Sequence, residues 1–297
     1  MSDARERAIA RFRDAFPDLT DAEGVTIEQL RRCDDALWNS FLPDDAVVEP
    51  VDAGGVPALW VGVPGSREDR AVVWYHGGGY TIGSAEGRRA IGAEVARASG
   101  CRTLVVDYRL APEHPFPAGV EDALAAFAWA AEQLGAASVA LGGDSAGAGL
   151  VLATLLAARD RGLPLPAAGV AVSPLADWTL AGESHRLKRD VDHFVTAEML
   201  EKLRPGYLGG ADPRDPLASP LHGDYAGLPP LLVLTGSEET LLDDAFGVAR
   251  AAALAGVEVE LRAFPGMFHI WPLFSTMLPE GRAAVELIGD FAGRRLA

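Results

Sequence analysis

The stretch Gly143-Asp144-Ser145-Ala146-Gly147 joins a short apolar run at residues 138–141 to a longer Ala- and Leu-rich run that begins at Ala146. A Gly-x-Ser-x-Gly sequence between two such runs predicts a strand, a sharp turn and a helix, with the serine at the tip of the turn. In open α/β sheets this tip lies at the carboxyl ends of the strands, where ligands bind. The alternatives are a glycine turn that binds phosphate and a simple tight connection. Ser145 is therefore the first candidate nucleophile.

Short β-rich runs alternate with longer Ala- and Leu-rich runs from about residue 45 onwards. The predicted strands are residues 58–63, 71–75, 102–108, 138–141, 168–173, 231–235 and 257–264. The predicted helices are residues 88–98, 119–134, 146–160, 241–255 and 280–294. This order predicts the α/β class, with a mostly parallel central sheet and helices on both of its faces.

Two stretches do not follow this alternation, residues 1–45 and residues 178–222. Long departures inside a compact domain are usually functional insertions such as lids. We therefore predict an N-terminal cap segment at 1–45 and a cap insertion at 178–222. The core is then made of residues 46–177 and residues 223–297.

A second glycine-rich motif, His76-Gly77-Gly78-Gly79, follows the predicted strand at 71–75. Consecutive glycines leave backbone N–H groups unobstructed, and this pattern is typical of loops that bind an oxyanion. We assign the N–H groups of Gly77, Gly78 and Ala146 as donors. The alternatives are a flexible loop and a phosphate cradle, but no Gly-Lys-Ser/Thr follows.

These two motifs, together with the segment Tyr108-Arg109-Leu110-Ala111-Pro112-Glu113-His114-Pro115-Phe116-Pro117-Ala118 between them, resemble the bacterial hormone-sensitive lipase family of esterases. The resemblance runs in family order from about residue 74 to the C-terminus. It implies an α/β-hydrolase fold and ester hydrolysis without a cofactor or metal. It also implies a helical cap over an acyl pocket, and it gives Asp144 a role in holding the glycine loop.

Chain order selects the base of a catalytic triad, because α/β-hydrolases place serine, acid and histidine in that order. Of the histidines after Ser145, only His269 follows the predicted strand at 231–235, after which the acid is expected. His269 is therefore the predicted base. The alternative is a core histidine packed between its apolar neighbours.

The acid of the triad is predicted from the register of the family's motif. Glu239 falls where the family often has Asp, and glutamate can orient an imidazole equally well. Glu238 is the alternative acid, although it fits better as a carboxylate facing the positive end of the following helix. Asp243 is less favoured because the register places it in that helix.

The composition limits the partners and the compartment. With 42 acidic and 26 basic residues the net charge is −16, which disfavours nucleic acid and anionic membrane surfaces. The longest mostly apolar run, residues 146–158, is too short for a membrane span, and the residues after Met1 lack the apolar stretch that a secretory signal needs. We expect a cytoplasmic protein. Its two cysteines, Cys33 and Cys101, form no metal cluster, and the choice between monomer and homo-oligomer stays open.

The combined prediction is a serine carboxylesterase that forms an acyl-enzyme on short- to medium-chain esters. Two alternatives stay open, an amidase or deacetylase with the same triad and a ligand-binding protein of this fold without turnover. Candidate substrate-binding residues are Trp38, Phe41 and Tyr80. The first two could equally pack the cap onto the core.

Overall fold

A computed structural model describes residues 3–16 and 25–296 of the chain. Within these ranges the centre of the molecule is an eight-stranded sheet with the order β1-β2-β4-β3-β5-β6-β7-β8. The strands are β1 (Val47–Asp52), β2 (Pro57–Gly62), β3 (Arg67–Tyr75), β4 (Cys101–Val106), β5 (Val139–Asp144), β6 (Ala168–Val172), β7 (Leu231–Gly236) and β8 (Val259–Phe264). In this order every neighbouring pair from β4 to β8 is parallel, whereas β2 is antiparallel to both of its neighbours, β1 and β4. The predicted mostly parallel sheet is confirmed.

Nine α-helices lie in the described part of the chain. They are α1 (Asp3–Ala15), α2 (Ile27–Asn39), α3 (Arg89–Ser99), α4 (Ala118–Leu134), α5 (Ala146–Asp160), α6 (Ser184–Leu187), α7 (Ala197–Leu208), α8 (Leu242–Leu254) and α9 (Pro279–Gly293). Local sequence sets several of their ends. Thr26 and Gln29 form a capping box at the start of α2, and Thr196 caps α7. None of the helices in these ranges has the length and hydropathy that crossing a bilayer requires.

Helices cover both faces of the sheet, as the strand register shows. A Cβ at Gly92 of α3 would contact Val105 of β4, whereas a Cβ at Gly169 of β6 would contact Leu155 of α5. Through the paired positions of β3 and β5, Val105 and Gly169 point to opposite faces. Strands β5 and β6 are buried throughout because both faces are covered.

The predicted N-terminal cap segment contains α1 and α2, and the predicted cap insertion contains α6 and α7. They touch each other, since the Phe12 ring of α1 lies 4.0 Å from the Phe194 ring between α6 and α7. The division of the chain at residues 45, 177 and 222 stays a prediction. Residues 17–24 of the N-terminal segment lie outside the described ranges.

Candidate active site

Ser145 occupies the turn between β5 and α5, with φ 55° and ψ −119°. This backbone conformation is rare for residues other than glycine, and such strained residues are found mostly at functional sites. Close packing explains the glycine that follows two residues later. A Cβ on Gly147 would lie 1.9 Å from the carbonyl oxygen of Tyr75 at the end of β3. The turn therefore places Ser145 at the carboxyl edge of the sheet, where the residue is 7% exposed.

A line of hydrogen bonds joins the three residues that the sequence selected. The Nε2 atom of His269 lies 2.9 Å from Ser145 Oγ, and its Nδ1 atom lies 2.8 Å from Glu239 Oε2. A carboxylate only accepts, so Nδ1–H donates to Glu239 and Nε2 is left to accept from the serine hydroxyl. This is the geometry that a nucleophile, a base and an orienting acid require.

The Glu239 carboxylate is fastened on its other side. Its Oε1 atom accepts from Ser173 Oγ at 3.1 Å, from Thr235 Oγ1 at 2.8 Å and from the Gly236 amide. Sequence reasoning missed Ser173, although its position directly after β6 was a signal, since strand ends meet at this edge. Glu238 points elsewhere, and its carboxylate pairs with Arg5. Of the two adjacent glutamates, only Glu239 reaches the histidine.

The glycine loop after β3 lies beside the serine turn. The Gly77 amide donates to Asp144 Oδ2 at 3.0 Å, which leaves it unavailable as an oxyanion donor. Within the part of the chain that the structure describes, the N–H groups of Gly78, Gly79 and Ala146 have no acceptor. Gly78 has φ +117°, a conformation that only glycine adopts without strain. Of the predicted donors, Gly78 and Ala146 are therefore available and Gly77 is paired, whereas Gly79, which was not predicted, is also available.

Residues 72–273, more than half of the chain, match the profile of a family described by the α/β hydrolase fold. The chain belongs to the α/β-hydrolase family. An acetyl-hydrolase from Streptomyces hygroscopicus is 44% identical over 261 residues, which cover 88% of this chain and 86% of the relative. An esterase from Acinetobacter venetianus is 32% identical over 266 residues, which cover 89% and 88%.

Solved structures narrow the family further. A crystal structure described as an esterase from the bacterial hormone-sensitive lipase family has a TM-score of 0.95 and 44% identity, over 100% of this chain and 99% of that chain. An esterase/lipase from an uncultured bacterium has a TM-score of 0.93 and 37% identity over the same shares. The resemblance to bacterial hormone-sensitive lipase esterases is confirmed.

Three carboxylates set the proton affinity of the histidine in this α/β-hydrolase. Burial lowers the pKa of His269, but the hydrogen bond and charge of Glu239 raise it, and the charges of Asp192 and Asp144 act in the same direction. The net effect is a pKa above the ordinary value of 6.5. The imidazole is therefore a stronger base than a histidine in water.

A buried ion network connects α2 to the serine turn of the hydrolase. Arg88 lies 2.9 Å from Asp34 of α2 and 3.4 Å from Asp144, and all three side chains are buried. Asp144 also accepts from Trp74 Nε1 at 3.0 Å and, as described, from Gly77. The network therefore holds the N-terminal segment, the glycine loop and the serine turn in one arrangement.

Replacing Arg88 with methionine is expected to lower the free energy of unfolding by about 3–5 kcal/mol, because Asp34 and Asp144 would stay buried without their cation. The matched control is Arg97→Met, since Arg97 pairs with Asp45 at 2.9 Å on the exposed surface. That change is expected to cost much less, because an exposed ion pair is solvated and adds little to stability. Urea unfolding curves measure both. Equal losses for the two variants would contradict a structural role for the buried network.

The three candidate substrate-binding residues lie in aromatic clusters. Trp38 is buried, donates to Asp34 at 2.9 Å and packs against Phe274 at 5.1 Å, and Phe41 lies 5.6 Å from the same ring. Both residues therefore pack α2 onto the core, which is the alternative that the sequence left open. Tyr80 follows the glycine loop and is also buried. Its ring stacks on Tyr207 of α7 at 4.0 Å.

No three His, Cys, Asp or Glu side chains among residues 3–16 and 25–296 are arranged to hold an ion. Cys101 is buried at the start of β4, and Cys33 of α2 is half-buried.

Proposed function

We propose that the protein is a serine carboxylesterase that hydrolyses short- to medium-chain acyl esters through an acyl-enzyme intermediate. The observation that carries this proposal is the buried line Ser145–His269–Glu239, with both hydrogen bonds at 2.9 Å or less. Membership of the family makes a carboxylic ester hydrolase the expected enzyme class. An intact triad also disfavours a ligand-binding protein without turnover, because such a protein does not need an activated serine.

The first half of the reaction acylates the serine. His269 Nε2 takes the hydroxyl proton of Ser145 as Oγ attacks the ester carbonyl carbon. The tetrahedral intermediate collapses, the bond to the alkoxy oxygen breaks, and the imidazolium donates its proton to the departing alcohol. Glu239 holds the histidine in the tautomer that accepts at Nε2 and stabilises its positive charge.

The second half releases the acid. A water molecule gives its proton to His269 Nε2 and attacks the acyl carbon, and the proton then returns to Ser145 Oγ as the carboxylic acid leaves. In both halves a negative oxygen develops at the former carbonyl. We assign its stabilisation to the N–H groups of Gly78, Gly79 and Ala146. Removing a single donor of this kind usually costs about 2.7–4 kcal/mol of transition-state stabilisation.

The acyl group is proposed to be short to medium in length. The relatives named above include an acetyl-hydrolase and esterases. Ser145 is also buried. The p-nitrophenyl esters of acetate, butyrate, hexanoate and laurate test this proposal. We expect kcat/KM to be highest for one of the first three and to fall for laurate.

Matched p-nitroanilides of the same acids separate an esterase from the amidase or deacetylase alternative. An esterase is expected to hydrolyse the esters and leave the anilides unchanged over the same time. Comparable kcat/KM values for an ester and its anilide would instead assign the triad to amide hydrolysis.

The acidic limb of the pH profile is expected to have its midpoint above pH 6.5. The reaction needs neutral His269, and because its pKa is raised, the histidine stays protonated to a higher pH than an ordinary one. Activity is therefore lost as the pH falls through this raised value. The measurement is kcat/KM for p-nitrophenyl acetate between pH 5 and pH 9, which reports the free enzyme. A midpoint below 6.5 would show that the carboxylates do not outweigh burial.

A further inference from the structure

Thr240, the residue after the triad acid Glu239, forms hydrogen bonds with the 178–222 segment. The Thr240 N–H donates to Asp192 Oδ2 at 2.6 Å, and its hydroxyl donates to the Val195 carbonyl at 2.8 Å. Its own carbonyl accepts from Ser184 Oγ at 2.6 Å. All the hydrogen-bonding groups of Thr240 are thus paired with this one segment. The backbone that carries Glu239 is therefore clamped by it.

Asp192 is the centre of this clamp. While Oδ2 accepts from Thr240, its Oδ1 atom accepts from the amides of Phe194 and Val195 at 2.8 and 3.0 Å. The residue is 4% exposed. Burying a carboxylate is costly unless its lone pairs are satisfied, and here three N–H groups satisfy them. The carboxylate therefore joins a folded strap, residues 192–195, to the loop of the acid.

The same strap contacts the residue next to the base. The Phe194 ring stacks on the Phe268 ring with centroids 4.8 Å apart and planes 2° from parallel. Phe268 immediately precedes His269, and Phe12 of α1 also packs on Phe194. One short strap thus contacts the chain neighbours of both the acid and the base.

We propose that Asp192 is a positioning residue for the reaction, through which the strap 192–195 holds Glu239 and His269 at their working distance. This inference rests on the proposed serine esterase function. If it is correct, the segment 178–222 contributes to catalysis by positioning the triad. An acid that shifts by a fraction of an ångström would orient the imidazole less well, and such misplacement typically lowers turnover.

The charges around the site fit this role. His269 is faced by Glu239 from the acid loop, by Asp144 from the serine turn and by Asp192 from the strap. The nearby cation Arg5 is paired with Glu238, and Arg13 contacts the ring of His193. Asp192 therefore adds negative charge near the histidine, which becomes positive during the reaction.

The first test compares Asp192→Asn with Asp212→Asn. An asparagine at position 192 turns an NH₂ group toward one of the three N–H donors and breaks that contact, while the volume is kept. Asp212 is a matched control, because it also accepts a backbone N–H in the same segment, from Arg214 at 2.8 Å, but is exposed. We expect Asp192→Asn to lower kcat about 10- to 100-fold with KM changed less than about threefold. Asp212→Asn is expected to match the wild type.

A double-mutant cycle with Glu239→Gln distinguishes positioning from general loosening. If Asp192 acts through the acid, its replacement adds no more than about a twofold loss once Glu239→Gln is present. Independent losses that multiply would overturn the proposal. The pH profile is a second readout, since removing an anion lowers the pKa of His269 and moves the acidic limb of Asp192→Asn to lower pH.

Thr240→Val covers the case in which Asp192→Asn does not fold. It removes only the hydroxyl bond to Val195, keeps the amide bond to Asp192, and is expected to lower kcat about threefold or more. Wild-type kcat for a folded Asp192→Asn would refute the positioning role, and so would wild-type kcat for Thr240→Val if Asp192→Asn does not fold. If Ser145 is still required in the wild type, that result would leave the proposed esterase function standing.

Discussion

Ser145→Ala is expected to lower kcat for p-nitrophenyl acetate by about 10⁵- to 10⁶-fold. Without Oγ no acyl-enzyme forms, and His269 has no nucleophile to activate. Among the described residues Oγ contributes a single hydrogen bond, to His269 Nε2, so the fold should be kept. The strained backbone at position 145 accepts alanine as readily as serine, since both have the same Cβ. Steady-state kinetics and a thermal melt measure the two expectations together.

A covalent probe provides the control for this variant. A p-nitrophenyl phosphonate should add one adduct to the wild-type protein, at Ser145, and none to Ser145→Ala, as intact mass shows. Turnover by Ser145→Ala near the wild-type level would refute Ser145 as the nucleophile. An adduct at another residue would have the same meaning.

Glu239→Gln is expected to lower kcat by about 10³- to 10⁴-fold. The three donors around Oε1 would keep the amide oxygen of glutamine on their side, which turns its NH₂ group toward His269 Nδ1. Nδ1 must then accept, so the proton moves to Nε2, where it faces the Ser145 hydroxyl. The base is lost through the wrong tautomer although the geometry is kept.

Glu238→Gln is the matched control, because it makes the same chemical change one residue earlier. Its carboxylate pairs with Arg5 and is 29% exposed, so the expected change in kcat is within about twofold. Equal and mild effects of the two variants would show that neither glutamate is the acid. A large effect of Glu238→Gln alone would reverse the assignment.

The fold was predictable where hydrophobic pattern and topology agree. Strands β2 to β8 and helices α3, α4, α5, α8 and α9 were expected near their observed positions. Strand β1 was missed because it is an edge strand with Glu49 and Pro50 at its centre and mostly exposed side chains. Helices α1 and α2 were read only as a segment that breaks the alternation.

The glycine loop shows where sequence reasoning stops. The motif predicted that backbone N–H groups would be offered to an oxyanion, and it could not say which of the three glycines offers them. Asp144, 67 positions from Gly77, takes the first amide for itself. That contact exists only after β3 and β5 pair side by side.

By itself the sequence determined the serine and the histidine of this site. A strand, a tight glycine turn and a helix place Ser145 by local geometry, and chain order leaves only His269 as its base. Only the tertiary structure shows that Glu239, and not Glu238, contacts His269. It also shows that Asp144 accepts from the Gly77 amide and that Asp192 accepts from the amide of Thr240. These contacts join positions far apart in the chain, and a hydrogen bond depends on the distance between two atoms in the folded protein.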